Sequence, residues 1–241
     1  MTLKIDREEE ARRLEEIAAN SLYAVGANGL SVRWCTRLFA RHWRGGSCLE
    51  LGPAEGEMTG ALVEHFDKVT AVEGSELFAK GIAERHPEVT VHNSLFEDFD
   101  TDERFDAVVI GHVLEHVDDP VWLLSRARDW LKDDGRVYAA VPNARSLHRQ
   151  AAVIMGLLPH EHAFSDQDRH NGHRRVYNSE TLRADVIAAG LKVEVFGGYW
   201  LKPLSNAQIE ASWSEELIDA YMALGERYPD IAAEIYVIAS K

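Results

Sequence analysis

The nine residues Cys48-Leu49-Glu50-Leu51-Gly52-Pro53-Ala54-Glu55-Gly56 decide the fold. A short apolar run ends in a glycine-rich turn, and a helical pattern follows over residues 57–66. A second apolar run, 68–72, stops at the acidic Glu73. A parallel sheet that lays a nucleotide-like ligand over the carboxyl ends of its strands needs these parts in this order, with the acidic residue roughly twenty positions after the turn. Gly52 lets the backbone approach a ligand closely, and Gly56 admits a tight entry into the helix. The spacing is Glu50-x-Gly52-x-x-x-Gly56, not the GxGxxG of a dinucleotide cradle. Pro53 also removes an N–H donor that a pyrophosphate would use. Glu50 repels phosphate and attracts an ammonium. The turn therefore suits a ligand with a ribose and an amino-acid part but no diphosphate.

Outward from this turn, strand and helix patterns alternate. Apolar runs at 47–51, 68–72, 89–92, 105–110, 136–141, 191–196 and 234–239 read as seven strands. Val108-Val109-Ile110 is continuous enough for a strand buried on both faces. Between the strands, helices are expected over 57–66, 75–85, 119–131, 178–190 and 213–227. Asp119 with Pro120 is a helix start, a capping side chain followed by a residue whose missing N–H costs nothing there. Such alternation predicts a doubly wound, mostly parallel α/β sheet. Ahead of it, 6–20 reads as an amphipathic helix with Leu14, Ile17 and Ala18 on one face. A break is expected at Gly26-Ala27-Asn28-Gly29, then a helix over 31–43 carrying Trp34, Leu38 and Phe39. The reading divides the chain into a helical lid, 1–45, and a catalytic domain, 46–241. Within the latter, 144–177 is a substrate loop holding one apolar helix, 147–157, and a histidine-rich stretch.

Composition narrows the partners. The 241-residue chain has 26 basic and 40 acidic residues, a formal charge of −14, which argues against a nucleic-acid contact surface. There is no apolar run long enough to span a bilayer, and the charged N-terminal pattern is not that of a signal peptide. Cys35 and Cys48 belong to no metal-type pair. These features point to a cytoplasmic enzyme, monomeric or homodimeric, acting on a small molecule.

Four motifs then stand in register: LELGPAEG (49–56), TAVEGS (70–75), FDAVVIGHVLEHVDDP (105–120) and LKDDGRVYAAVPN (131–143). Together they resemble the class I S-adenosylmethionine-dependent methyltransferases, in particular the small-molecule branch of the ubiquinone-biosynthesis type. The resemblance implies a Rossmann-like fold with S-adenosylmethionine as cofactor and S-adenosylhomocysteine as product. It implies that Glu50, Gly52, Pro53 and Gly56 line the methionine part, and that Glu73 holds the ribose hydroxyls with Gly74 and Ser75 alongside. Asn93, Ser94, Leu95 and Phe96 would flank the adenine, although the family's usual acidic residue near Ser94 is missing here. Gly111, His112 and Val113 would close over the cofactor, and Leu114-Glu115-His116 matches a family signature. From the lid, Tyr23 and Arg33 are cofactor candidates, Arg33 as a bidentate partner for the methionine carboxylate.

Catalytic candidates come from the loop and the sheet edge. In His173-x-Arg175-x-Tyr177 alternate residues of an extended segment share a face, so His173 and Tyr177 are placed together, with Asn143 at the end of the fifth strand and His116 nearby. An oxygen acceptor calls for a general base such as His173 or His116, whereas a neutral amine needs only alignment. His160-x-His162 and His170-x-x-His173 have permissive metal spacing, but nothing in the sequence completes a site, so no metal is expected. Tyr199, Trp200 and Trp213 are candidates for an aromatic pocket wall. Two other readings keep the cofactor site: an enzyme acting on S-adenosylmethionine itself as cyclase or lyase, and a non-catalytic cofactor-binding protein. A nicotinamide dehydrogenase is disfavoured by Pro53 and the glycine spacing.

Overall fold

A computed structural model of the chain describes residues 6–21 and 23–241; residues 1–5 and 22 of the expected lid lie outside the described residues. The seven strands expected from the sequence are present: β1 (Ser47–Leu51), β2 (Lys68–Glu73), β3 (Thr90–Asn93), β4 (Phe105–Gly111), β5 (Leu131–Pro142), β6 (Lys192–Tyr199) and β7 (Glu234–Ser240). They form one sheet in the order β3-β2-β1-β4-β5-β7-β6. The first five pair in parallel, and β7 enters antiparallel between β5 and β6. This reversal has a consequence for function. The start of β7, Glu234, pairs with Pro142 and Tyr199 at the carboxyl ends of β5 and β6, so a strand beginning joins the edge where the other strands end.

Both faces of the sheet are buried because side chains alternate. Ala107 and Val109 of β4 and Tyr138 and Ala140 of β5 face one core, and Val108, Ile110, Val137 and Ala139 face the other. The first core is closed by helices α2 (Gly26–Ala40), α3 (Thr59–His65), α4 (Glu76–Arg85), α9 (Asn206–Glu210) and α10 (Glu215–Gly225). The second is closed by α5 (Pro120–Trp130) and α8 (Ser179–Ala188). The Asp119 carboxylate accepts the Trp122 N–H at 2.9 Å, as the Asp-Pro pair predicts. Helix α1 (Arg7–Ala19) lies over the carboxyl edge, with Leu14 and Ile17 turned toward it.

Two expectations are revised. The break at Gly26-Ala27-Asn28-Gly29 is the first turn of α2. Its Ala27 N–H is capped at 2.7 Å by Glu210 of α9, a partner 183 residues away that no local pattern reveals. The apolar helix expected over 147–157 is shorter, α6 (Leu147–Ile154), and the 144–177 loop contains a further turn of helix, α7 (Asp166–His170), set by a Ser165–Asp168 capping box.

Helix α10 fixes the far wall of the edge. Its Met222 and Tyr221 carbonyls accept the N–H groups of Trp200 and Leu201 at 3.1 and 2.8 Å. Trp200 itself sits at φ 65°, a conformation that costs energy for a side chain of this size. A Cβ on Gly225 would lie 2.3 Å from the Trp200 nitrogen and 2.5 Å from the Tyr199 carbonyl carbon, both backbone. Gly225→Ala should therefore destabilise the chain by about 2–3 kcal/mol through overpacking. Gly156→Ala, at φ 73° with nothing within 4 Å, should cost only the backbone strain of about 1 kcal/mol. Urea unfolding of the two variants checks this ordering.

Candidate active site

The carboxyl edge of the sheet opens into a cavity lined by the ends of β1, β2, β4 and β5, the start of β7 and the inner face of α1. One half is built around the turn after β1. Gly52 adopts φ 64°, and its N–H reaches the Val72 carbonyl at 2.9 Å. A Cβ there would meet Val113 at 2.8 Å, so only glycine lets this turn and the loop after β4 come together. The Glu50 carboxylate is buried and accepts the Thr59 hydroxyl at 2.7 Å. Glu73 accepts the Ala54 N–H on one oxygen at 3.1 Å and the Ser75 N–H on the other at 2.9 Å. It thus joins the turns after β1 and β2 while still facing the cavity. A carboxylate has roughly four acceptor positions, so both oxygens keep capacity for a ligand's hydroxyls.

The remaining expected cofactor residues divide by placement. Pro53, Gly74, Ser94, Leu95, Phe96, Gly111, His112, Val113 and Tyr23 line the cavity. Gly56, Ser75 and Asn93 stand behind it and shape its turns. The Asn93 amide donates to the Glu73 and Gly74 carbonyls at 3.0 and 3.3 Å, and Ser75 caps α4. Arg33 is turned outward, its guanidinium half exposed and paired with Glu57 at 3.1 Å.

The other half of the cavity carries the histidines. His116 and His173 meet edge to face with ring centroids 4.8 Å apart. The Tyr23 hydroxyl lies 3.5 Å from His116 Nε2 and donates to the Asn171 carbonyl at 3.3 Å. His173 Nδ1 pairs with Asp168 at 2.9 Å, and Asp168 is held in turn by Arg149 at 2.9 Å and by Ser165. Of the four expected catalytic residues, His116 and His173 are brought together on the cavity, and Tyr177 and Asn143 are not. The Tyr177 hydroxyl donates to Asp185 at 2.8 Å from within the second core. The Asn143 amide donates to the Ala232 and Asp230 carbonyls at 2.8 and 3.1 Å, and its oxygen caps Arg145. The two instead form a backbone bridge that pins the 144–177 loop to the end of β5. Between them, Arg175 donates to the carbonyls of Leu114, Val117 and Asp118 and clamps the loop after β4.

A family model described as a methyltransferase domain matches residues 24–194. The chain belongs to this methyltransferase family. No curated protein matches its sequence. Among solved structures, the N-methyltransferase NodS from Bradyrhizobium japonicum WM9, in complex with S-adenosyl-L-homocysteine, is 14% identical with a TM-score of 0.62, over 98% of this chain and 99% of that one. A DhpI-SAM-HEP complex is 17% identical with a TM-score of 0.63, over the whole of both chains. The [4+2]-cyclase SpnF is 15% identical with a TM-score of 0.66, over 100% of this chain and 98% of that one. At these identities the likeness is one of fold.

The methyltransferase edge also holds groups that the sequence did not mark. Glu234 and Lys202 are both buried beside the cavity. Glu234 lies 3.8 Å from His112 Nδ1, and the Lys202 ammonium donates to Asn206 at 2.8 Å and sits 4.6 Å over the Trp200 ring. A charged residue opening an otherwise apolar strand was the available signal for Glu234, but it means something only once β7 is known to run backwards. His112 bonds the Tyr199 hydroxyl at 2.9 Å through Nε2. Burial works against a charge on His112, but the neighbouring Cys35 and the carboxylates of Glu115 and Glu234, 3.7 and 3.8 Å from Nδ1, outweigh it and hold its pKa well above the usual range. His116 is the opposite case: burial, reinforced by the positive charge of its neighbours, lowers it to about 4, so its ring is neutral near pH 7. Burial likewise lowers Lys202 to about 8, against the pull of Glu234.

Burial pushes the Glu50 carboxyl up to about 7, against the Thr59 hydrogen bond, with the nearby Glu73 charge adding to the rise. The folded chain therefore binds this proton more tightly than the unfolded one. On this group's account stability is full below the unfolded value of 4.5 and is lost as pH rises through about 7. Glu50→Gln keeps an acceptor for Thr59 and removes the charge. The variant should melt above the wild-type protein at pH 8, with the gap closing toward pH 5; thermal scans across that range measure it.

Proposed function

We propose that this chain transfers the methyl group of S-adenosylmethionine to an oxygen or nitrogen of a small molecule and releases S-adenosylhomocysteine. The observation that carries the reading is the Glu73 carboxylate, set by the Ala54 and Ser75 N–H groups at the tip of β2 and facing the cavity. A carboxylate at this position matches a ribose diol. The adenine then lies toward Leu95 and Phe96, and the amino-acid end toward Gly52 and Glu50. A cofactor ammonium beside Glu50 favours the ionised carboxylate that burial alone disfavours. The structures of NodS and DhpI with S-adenosylhomocysteine or S-adenosylmethionine, in the same fold, support this choice of ligand.

The sulfonium is already a good leaving group, so the protein's task is alignment and exclusion of water. Helix α1 serves as the lid: Arg7 pairs with Asp98 at 2.6 Å, and Arg13 reaches Glu10 and the Gly172 carbonyl of the substrate loop at 2.6 and 3.2 Å. His116 and His173 form the wall nearest the acceptor. An acceptor hydroxyl must give up a proton on this side of the cavity, whereas a neutral amine needs only alignment. The net charge of −14 and the enclosed, carboxylate-lined cavity favour a small molecule over a nucleic acid. Among the described residues no helix is long and apolar enough to cross a membrane.

That a [4+2]-cyclase shares the fold makes a reaction other than transfer worth separating. Incubation with S-adenosylmethionine and a pool of candidate acceptors, followed by mass spectrometry, should yield S-adenosylhomocysteine and one acceptor heavier by a methylene. Methylthioadenosine formed from the cofactor alone would instead mark a cyclase or lyase. Each hydrogen bond to a charged partner is worth about 1.5–3 kcal/mol. Glu73→Ala, which removes two such bonds, should accordingly weaken S-adenosylhomocysteine binding by about 100-fold or more in calorimetry, and an unchanged affinity would remove the basis of the reading.

A further inference from the structure

We propose that Glu115, His116 and His173 form a binding site for a divalent transition-metal ion on the acceptor side of the cavity. One donor atom from each of the three lies within 4.8 Å of the other two. Donors bound to a metal at about 2.0–2.2 Å stand roughly 3–4 Å apart, so side-chain adjustments on the order of 1 Å close the set. All three residues line the cavity.

Four further observations separate this arrangement from an ordinary polar cluster. The Glu115 carboxylate is shielded from solvent; its Oε1 lies 3.7 Å from His112 Nδ1, but its Oε2 has no hydrogen-bond partner, a position that a metal ion or ligand would fill. His173 gives its Nδ1 to Asp168, which is itself fixed by Arg149 and Ser165, leaving Nε2 as the available donor atom. A carboxylate behind a histidine in this way is the outer-shell support that metal-bound imidazoles have. The surroundings are also rich in acid: among the described residues, nine carboxylic side chains line the cavity against the basic Arg13, Lys202 and His112, and Arg13 is already engaged by Glu10. The backbone holds the donors in place, since the Arg174 N–H bonds the Glu115 carbonyl at 2.8 Å and ties the histidine loop to the loop after β4.

Two imidazoles and one carboxylate select a borderline ion such as zinc, manganese, iron(II) or cobalt over magnesium, which prefers oxygen donors. Three protein donors leave coordination positions open toward the cavity. The histidine pairs considered from sequence spacing do not take part as pairs. His160 is exposed, and His162 is occupied by the Val176 carbonyl at 2.9 Å and by Asn178. The role of the ion rests on the methyl-transfer reading: it binds an acceptor hydroxyl and lowers its pKa. The proton leaves to solvent, the oxygen forms the bond to the methyl carbon, and the carbon–sulfur bond breaks with its electron pair staying on sulfur.

The test uses the full chain without an affinity tag, stripped with chelator. Titration with zinc(II) and, for its visible spectrum, cobalt(II) should show one equivalent bound, with magnesium(II) far weaker. Asp168→Asn should weaken zinc binding about 10–100-fold, and His173→Ala and Glu115→Gln should weaken it further. His160→Ala with His170→Ala should leave it unchanged. Circular dichroism and S-adenosylhomocysteine binding by the stripped protein and by each variant show that the fold and the cofactor half are intact. Absence of stoichiometric zinc binding, or equal binding by folded His173→Ala and Glu115→Gln, overturns the site. If the stripped protein binds S-adenosylhomocysteine, such a result leaves the methyl-transfer reading standing. Zinc binding without any nucleoside binding would keep the site and remove that reading.

Discussion

Glu73 is the constraint on which the cavity depends. A carboxylate at the end of a buried strand must find partners, because burial opposes its charge. It finds them in the backbone of two separate turns, the Ala54 N–H after β1 and the Ser75 N–H after β2. One side chain thereby sets the spacing of the two loops that face the ligand. The same buried charge is useful because its acceptor capacity is not exhausted. Asn93 braces the arrangement from behind by bonding the carbonyls of Glu73 and Gly74. Removing Glu73 would loosen the wall of the site as well as delete a contact.

The far half of the edge follows a different logic. There the sheet reverses direction, and β7 brings Glu234 to the strand ends of β5 and β6. Around it lie the buried Glu115 and Lys202 and the partly buried His112. Such groups are expensive to bury, and a chain stabilised for its own sake would replace them with apolar side chains. Their concentration at one end of an otherwise apolar sheet is the physical ground for proposing that the reaction takes place there. The half around Glu73 is thus built from backbone turns braced by carboxylates, and the half around Glu234 from side chains braced by one another.

The fold was legible in the sequence because each signal was local. All seven strands were foreseen as apolar runs, and Asp119-Pro120 opened its helix as expected. The start of α2 was not legible, since its cap is the carboxylate of Glu210. At the site, residues whose role depends on the turns after β1, β2 and β4 could be named from motif spacing. Tyr177 and Asn143 show the limit of that approach. Their positions in the chain bring them to the right edge, but side-chain direction is set by packing, and both point into structural hydrogen bonds. His173 could be read, but its partner Asp168 could not, because only the short helix α7 turns that carboxylate back onto the ring.

The central claim is that the Glu73 edge binds an S-adenosyl ligand in one orientation. A crystal structure of the chain with S-adenosylhomocysteine tests it most directly. The account predicts both ribose hydroxyls within hydrogen-bond distance of the Glu73 carboxylate, the amino-acid end beside Glu50 and Gly52, and the sulfur facing His116 and His173. A nucleoside bound elsewhere, or one reversed so that its ribose lies away from Glu73, would contradict it.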